Sequence, residues 1–599
     1  MKNLILMFVI GIFCITSISC EKMFGDYLQK APGVDVTTDT LFSSRVQVET
    51  LLASIYEQGL PNGYPGLSYR VGTDIWQSNF NVDNPFYLAG ATDELEAESA
   101  SYSCNTYYNA GGYNASTTAA YQERYYVTWY VIRQVNVMIE NIDKSPLDQA
   151  YKEQIKGEVK FIRAQNYFEW LRRYGGTVLL NKVLLLSDNL NIPESSVDST
   201  FQFILKDLDD AIAVLPDIYP SNMTGRITKG AALMLKAKTL LYAASPAFNT
   251  ATPIPSYDNP AFNRLLCYGN YDVNRWKLAA DAAKAVLDWA PSGGRQLITD
   301  KGVDKNYKYV WEVPDNSEIV LGVQSTTGVI KDGASGASPW TYLLPRAIFT
   351  GSWGGYGVTQ NFIEKFYDKT DGTPQTWSTT GNDLNKKYAE LEPRFKQSVI
   401  YNGSYFSSRV PNLETFLGPA PAGIHSSACA TGTWLRKMIQ ENYLTPSSTW
   451  TQNVKWPLYR LADAYLWYAE ALNEFNGTPP QAAYDAINTI RARSGMPNLP
   501  TGLTQAQFRY RVRKERAVEF FVEDSRWWDI RRWRAVEDGV MYGNFYGLKI
   551  NKIPGTTPQE FSYEKYVFET RTWIGDKFYW YPHDPNEVNK GVFKQLPLW

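Results

Sequence analysis

Only two histidines, His425 and His583, occur in the chain, so a Ser–His or Cys–His nucleophile would have to use one of them. No G-x-S-x-G turn accompanies either. Zinc sites want clustered His and Cys, which are lacking. The string GRITKGAA (225–232) has two glycines at P-loop spacing, yet Ala231 stands where the phosphate-binding lysine belongs. DKTDG (368–372) sets its acids three apart and lacks the alternating ligands of an EF-hand. Two carboxylates suffice for a glycosidase, and among 61 acidic residues some pair always looks suitable, so that pattern decides nothing. A pattern does appear in the aromatic rings. The apolar face of a pyranose stacks on a ring while Asn, Arg and Asp bond its hydroxyls, and two segments hold both kinds of group. In CNTYYNAGGYN (104–114), Tyr107, Tyr108 and Tyr113 lie among Asn and Gly; in PWTYLLPRAIFTGSWGGYG (339–357), Trp340, Tyr342, Arg346, Trp353 and Tyr356 do. Trp76, in DIWQSNFN, is a further candidate. Glycine beside a ring leaves room for a ligand; the competing reading for each ring is burial inside its loop.

The elements that must position these rings are mostly helices. Apolar residues three and four apart mark helix faces at Trp129, Ile132, Asn136 and Ile139, and again at Phe161, Ala164, Phe168 and Leu171, where Gly175-Gly176 stops the run. The spacing returns at Leu233, Ala237, Leu240 and Leu241, over Trp276 to Trp289, and at Leu461, Tyr465, Tyr468 and Leu472, with two further helices predicted over 480–494 and 504–523. Hairpins recurring in this way predict a mainly α fold of tetratricopeptide-like stacking. Between 301 and 455 the chain turns rich in Gly, Pro, Ser, Thr and Trp, which predicts a loop-rich irregular subdomain. The expected division is a signal peptide (1–19), a lipidated N-terminus and tether (20–44), a helical region (45–300), the loop-rich subdomain with the candidate ligand surface (301–455), and C-terminal helices with a closing extended segment (456–599).

Lys2 and the twelve-residue apolar run Leu4 to Ile15 read as an export signal too short to span a bilayer. ITSISC (15–20) looks like a bacterial lipobox, which implies acylation of Cys20, although Ser17 stands where Leu is commonest. Cys14 follows Phe13 and lacks the small residue that cleavage needs. Beyond Cys20 only Cys104, Cys267 and Cys429 remain, odd in number and far apart, so no disulfide framework is expected. Lys and Arg number 59 against 61 Asp and Glu, a net charge of −2, and this balance argues against a nucleic-acid partner. Aromatics make up 15% of the chain, enough to fill the core and still leave some rings on the surface.

Four long blocks carry a resemblance: GEVKFIRAQNYFEWLRRYGG (157–176), RITKGAALMLKAKTLLYAASPAFN (226–249), NGTPPQAAYDAINTIRARSGMP (476–497) with ERAVEFFVEDSRWWDIRRW (515–533), and the closing stretch from Tyr579 to Trp599. In this order they resemble the SusD/RagB family of Bacteroidetes outer-membrane nutrient-binding lipoproteins, although Thr177-Val178 replaces the usual Val-Pro. The resemblance implies a SusD-like α–α superhelix with four tetratricopeptide-like units and a ligand surface mostly in loops. It also implies a non-enzymatic, lipid-anchored protein on the outside of the outer membrane that captures a glycan and delivers it to a TonB-dependent (SusC-like) transporter. Peptide capture within the same family, a secreted glycan hydrolase and a structural helical-repeat scaffold are the alternatives. No cofactor or metal is expected. Arg491, Arg493, Arg526, Arg531 and Arg532, alternating with Glu515, Glu519 and Asp529, read as ion pairs within packed helices rather than as a ligand site.

Overall fold

A computed structural model describes residues 38–60, 87–97, 104–118, 128–325, 329–330, 356–375, 377, 380–381, 388–408, 410–416, 430–439, 450–451, 454–537 and 539–599. Helices α1 (Arg45–Gly59), α2 (Thr128–Asn141), α3 (Gln149–Tyr174), α4 (Val197–Val214), α5 (Lys229–Ala244) and α6 (Asn274–Trp289) follow one another, and α3 through α6 each pack on the next. The stack then continues across the whole segment 290–460, because α6 packs directly against α7 (Leu461–Asn476). Helices α8 (Gln481–Arg493) and α9 (Gln505–Glu519) lean on α7, and the short α10 (Arg526–Trp533) follows. This is the mainly helical, tetratricopeptide-like stack that the spacing predicts.

The helix faces are displaced slightly from the predicted stripes. In α2 the buried line is Val131, Val135 and Met138 with Ile132 and Asn136, while Trp129 and Ile139 are only half-buried. In α7 Leu461, Leu466 and Trp467 are buried and Tyr465, Tyr468 and Leu472 sit at the margin. The period was correct, but α7 is covered on several sides and a single stripe underestimates it. The Gly175-Gly176 stop has a steric cause. Gly175 takes φ 85°, and a Cβ there would lie 2.2 Å from the Leu265 carbonyl oxygen. A Cβ on Gly176 would lie 2.0 Å from that of Ser195.

Strands are few and antiparallel. β1 (Leu95–Ala97), β3 (Tyr356–Val358), β5 (Trp434–Leu435) and β4 (Val399–Ile400) form one sheet in that spatial order. β2 (Ile319–Ser325) pairs with β6 (Val454–Arg460), joining the two ends of the loop-rich segment, and β7 (Gly543–Lys552) forms a ladder with β8 (Phe561–Arg571).

Ion pairs inside the protein join these parts. Arg163 of α3 donates to Asp207 of α4 through Nε and Nη2, both at 2.7 Å, and its Nη1 reaches Asn136 of α2 at 2.6 Å. A larger lattice joins the loop-rich segment to the C-terminal helices. Arg394 meets Glu392 (2.6 Å), Glu515 (2.7 Å) and Glu519 (3.0 Å). Arg460 meets Glu318 (2.8 Å), Glu519 (2.7 Å) and Glu523 (2.7 Å). Arg493 meets Glu318 (2.8 Å) and Glu519, Arg491 meets Glu515 (3.1 Å), and Lys437 meets Glu523. Burial works to raise the Glu519 carboxyl, but Arg493, Arg460 and Arg394 hold it well below the usual carboxylate range. Lys437, drawn down to about 8 by burial, donates to the Phe521 carbonyl at 2.7 Å.

The Arg-rich motifs are therefore ion pairs, with one variation. Arg526 grips Asp93 (3.0 Å), and Arg532 grips Glu470 (2.6 Å) and Asp529 (2.8 Å). Arg531 instead lies 3.3 Å from the centre of the Trp527 ring and donates to the Phe578 carbonyl at 2.7 Å.

Two outcomes are expected. Arg493→Met strands Glu318 and Glu519 in the interior and should cost ~3–5 kcal/mol in chemical denaturation, against under ~1 kcal/mol for Lys206→Ala at the exposed Lys206–Asp210 pair. The second concerns Asp529, whose carboxyl burial would raise, but which Arg516 and Arg532, each at 2.8 Å, hold below its ordinary 3.8. Stability from a depressed acid is present above its unfolded value and is lost as pH falls through the folded one. Asp529→Asn should thus be less stable than wild type at pH 7, with the gap closing below about pH 4; a gap that stays constant to lower pH contradicts this.

Candidate functional site

The segment 104–114 does not fold as an exposed loop. Cys104–Asn109 winds into one wide helical turn, pinned by Asn105 Nδ2 donating to the Ala97 carbonyl (3.2 Å) and by Asn109 Nδ2 donating to the Gly90 carbonyl (3.0 Å). The chain then reverses so that Tyr113 N–H donates to the Tyr107 carbonyl at 2.8 Å. Gly112 is needed there, because a Cβ would stand 2.6 Å from the Thr106 carbonyl oxygen.

This reversal turns two of the candidate rings inward. Tyr108 stacks on Tyr113 at 5.0 Å and on Phe578 at 5.5 Å, and meets the edge of Trp527 at 5.1 Å. Tyr113 meets Trp599 edge-on at 5.5 Å. Both rings are 5% exposed, and Tyr356, in β3, is 1% exposed. The expectation of open platforms is corrected for these three: rings from α10 and the closing segment cover Tyr108 and Tyr113, and Tyr356 lies within the sheet, where a Cβ on Gly90 would come 3.3 Å from its Cε1. Tyr107 is half-buried against the core. Trp76, Trp340, Tyr342, Arg346 and Trp353 lie outside the described residues, as do Cys20 and His425.

The described residues do fix where the chain leading to the first aromatic segment meets the end of the second. In the β1–β3 ladder Leu95 pairs with Val358, Glu96 with Gly357 and Ala97 with Tyr356. The end of β1, which leads toward 104–114, thus lies beside the start of β3, which follows 339–355. Acids from the string ATDELE (91–96) hold this corner. Asp93 is 3.0 Å from both Arg526 and Lys365, and they outweigh burial and keep its carboxyl low. Glu94 accepts the Val522 N–H at 2.8 Å, and burial pushes it up to about 8. Arg571 at the end of β8 holds both Glu96 and Glu569 at 2.6 Å, and burial raises the Glu96 carboxyl. The signal available in the sequence was three acids in four residues next to a ring-rich segment; their partners lie hundreds of residues away, so the pairing itself had none.

His583 packs between Tyr174 (4.7 Å) and Phe593 (5.1 Å), and burial pushes it down to about 3, so it stays neutral. Among the described residues no group of three or more His, Cys, Asp or Glu side chains is placed to hold a metal ion. No helix among them is long and apolar enough to cross a membrane.

Known proteins match nearly the whole chain. Residues 324–599 match the model described as the SusD family, and residues 26–241 match one described as "Starch-binding associating with outer membrane". A SusD-like protein of Formosa agariphila is 22% identical over 559 residues, covering 89% of this chain and 90% of its own. A SusD-like protein of Bacteroides fragilis has a crystal structure that superposes with a TM-score of 0.73 at 26% identity, over 95% of this chain and all of that one. A second B. fragilis structure, a SusD-like carbohydrate-binding protein, gives 0.69 at 21% identity, over 92% of this chain and all of its own. SusD proteins are binding proteins and perform no catalysis. With two family models spanning most of its length and the same helical fold throughout, the chain belongs to the SusD/RagB family.

Proposed function

We propose that this protein captures carbohydrate outside the cell, held to the outer membrane by a lipid on Cys20, and passes it to a TonB-dependent, SusC-like transporter. The description of the N-terminal family model, which names both starch and the outer membrane, supports this reading, as does the fold shared with a carbohydrate-binding relative. The observation that carries it is the register of Ala97 with Tyr356, which brings the chain leading to the first aromatic segment beside the end of the second, on a braced corner. Sugar capture needs several rings within one saccharide's reach, mounted on a rigid base. Trp340, Tyr342, Arg346 and Trp353, with Trp76 and Tyr107, are the side chains proposed to touch the ligand. Tyr108, Tyr113 and Tyr356 are buried and are left out of that set.

Stacking on one ring contributes ~1 kcal/mol, about a five-fold change in affinity. With a glycan chosen from an array, calorimetry should show Trp340→Ala and Trp353→Ala each weakening binding about five-fold, and about 25-fold together. Tyr108→Ala should lower the melting temperature while the folded fraction binds as wild type does. Wild-type affinity in the double Trp variant sinks the site assignment, and an array that selects peptides alone sinks the carbohydrate reading. For the anchor, Cys20→Ala should release the protein from the membrane fraction in cells that lack the transporter. Full retention there refutes the lipid.

A further inference from the structure

A polar cavity of about 50 Å³ lies where α3, α5, α7, α9 and α10 converge, lined by Arg172, Lys238, Asp463, Arg516, Asp524 and Trp528. It is separate from the aromatic corner. Four polar atoms on its lining residues are buried without a hydrogen-bond partner among the described residues: Arg172 Nε, Arg516 Nη1, Trp528 Nε1 and Asp524 Oδ1. Their residues are otherwise fixed. Arg172 pairs with Glu169 at 2.5 Å and lies 3.8 Å over the Trp528 ring, and Arg516 Nε is 2.8 Å from Asp529. Arg516 Nη1 stands 3.9 Å from Asp463, an ion pair too long for a hydrogen bond. Lys238 makes no hydrogen bond or ion pair among the described residues; its ammonium lies 5.4 Å from the rings of Phe168 and Tyr459.

Charge, size and hydrogen-bonding capacity narrow the occupant. Arg172, Arg173, Lys238, Arg516 and Arg532 are matched around the cavity by Glu169, Asp463, Glu470, Asp524 and Asp529, and Glu523 already belongs to Arg460 and Lys437. A neutral wall gives an ion no net attraction. The unpartnered atoms are three N–H donors and one carboxylate oxygen, so the guest must accept and donate. Each water needs ~10–15 Å³, which leaves room for about three to five waters and none for a pyranose ring.

We propose that this cavity is a permanent hydration site, in which a small cluster of water joins Lys238, Asp463 and Asp524 and lets the turn between α9 and α10 keep its charge inside. That turn is held in a costly shape. Val522 has φ 54° and Asp524 φ 60°, left-handed values that a β-branched residue rarely takes. It is fixed from outside the cavity, because Glu94 accepts the Val522 N–H, Lys437 donates to the Phe521 carbonyl and Arg460 binds Glu523. Asp524 thereby lines the cavity whatever its own preference.

The cluster is also linked to protons. Burial raises Asp463 and Asp524 to about 6 and lowers Lys238 to about 8. Stability from the raised acids is present below their ordinary 3.8 and is lost as pH rises through 6; stability from the lowered lysine is present above 10.5 and is lost as pH falls through 8. Between pH 6 and 8 all three are charged and the cluster contributes least. Facing them are Glu169 and Arg172 from α3, Tyr242 from α5, Tyr459 from β6, Arg516 from α9, Glu523 from the turn, and Asp529 and Arg532 from α10.

A crystal structure of the full chain at pH 7, at a resolution that shows solvent, tests the site directly. Ordered waters are expected within hydrogen-bond distance of Asp524 Oδ1, Arg516 Nη1, Arg172 Nε and Trp528 Nε1. A dry cavity, or one filled by a non-water molecule, overturns the proposal. Thermal melts of Asp524→Asn against wild type test the proton linkage: the variant should melt higher at pH 7, with the advantage gone at pH 4. An equal difference at both pH values, or a lower melting temperature at pH 7, overturns the linkage.

Discussion

The buried lattice of five cations and five carboxylates is the constraint on which the rest of the molecule depends. Arg394, Lys437, Arg460, Arg491 and Arg493 are set against Glu318, Glu392, Glu515, Glu519 and Glu523, so the interior carries charge without carrying a net charge. Each ion costs several kcal/mol to bring out of water, and only mutual pairing offsets that cost. Four members come from the loop-rich segment, Arg460 from the end of β6, and five from α8, α9 and the turn beyond. Arg394, Arg460 and Arg493 each meet acids of both parts, so the full set is paired only when the two are docked. Apolar packing tolerates a slipped contact, but this arrangement does not, and it therefore fixes how the irregular part sits on the helical stack.

The same logic runs outward to the corner formed by β1 and β3. Glu94 reaches from the start of β1 to Val522, one residue from Glu523 in the lattice, and Arg526 reaches from α10 to Asp93. The short β1–β3 ladder is thus fastened to the C-terminal helices through side chains. Rings from the closing segment complete the support, since Phe578 and Trp599 lie against Tyr108 and Tyr113. Aromatic residues here act first as structure, which accounts for most of the chain's unusual supply of them.

The helical stack was legible because its signal is local. Apolar spacing and the Gly175-Gly176 stop lie within a few residues of what they govern. Identity was legible through long ordered blocks, and the Arg-rich blocks were readable as ion pairs because opposite charges alternate along them. Their partners were not. Glu318, Asp93 and Glu470 are ordinary acids in sequence, and only the fold brings them to Arg493, Arg526 and Arg532. Tyr108 and Tyr113 were misjudged for a related reason. Glycine and asparagine around a ring suggest exposure, yet Gly112 serves a tight reversal and Asn105 and Asn109 tie the turn to neighbouring backbone. The cover over those rings comes from residues more than four hundred positions later.

The β2–β6 ladder has a consequence for how such proteins diversify. It sets Ile319 beside Arg460 and Ser325 beside Val454, so everything between leaves and re-enters the body at one doorway, while α6 touches α7 as though nothing intervened. Closing a loop whose ends are already fastened grows dearer only slowly with length, about 0.6 kcal/mol for each doubling. Lineages can therefore lengthen, shorten or rewrite the stretch between the two strands while inheriting the helical frame unchanged. Residues that belong to the lattice, such as Glu392, Arg394 and Lys437, are the fixed points that such rewriting has to preserve.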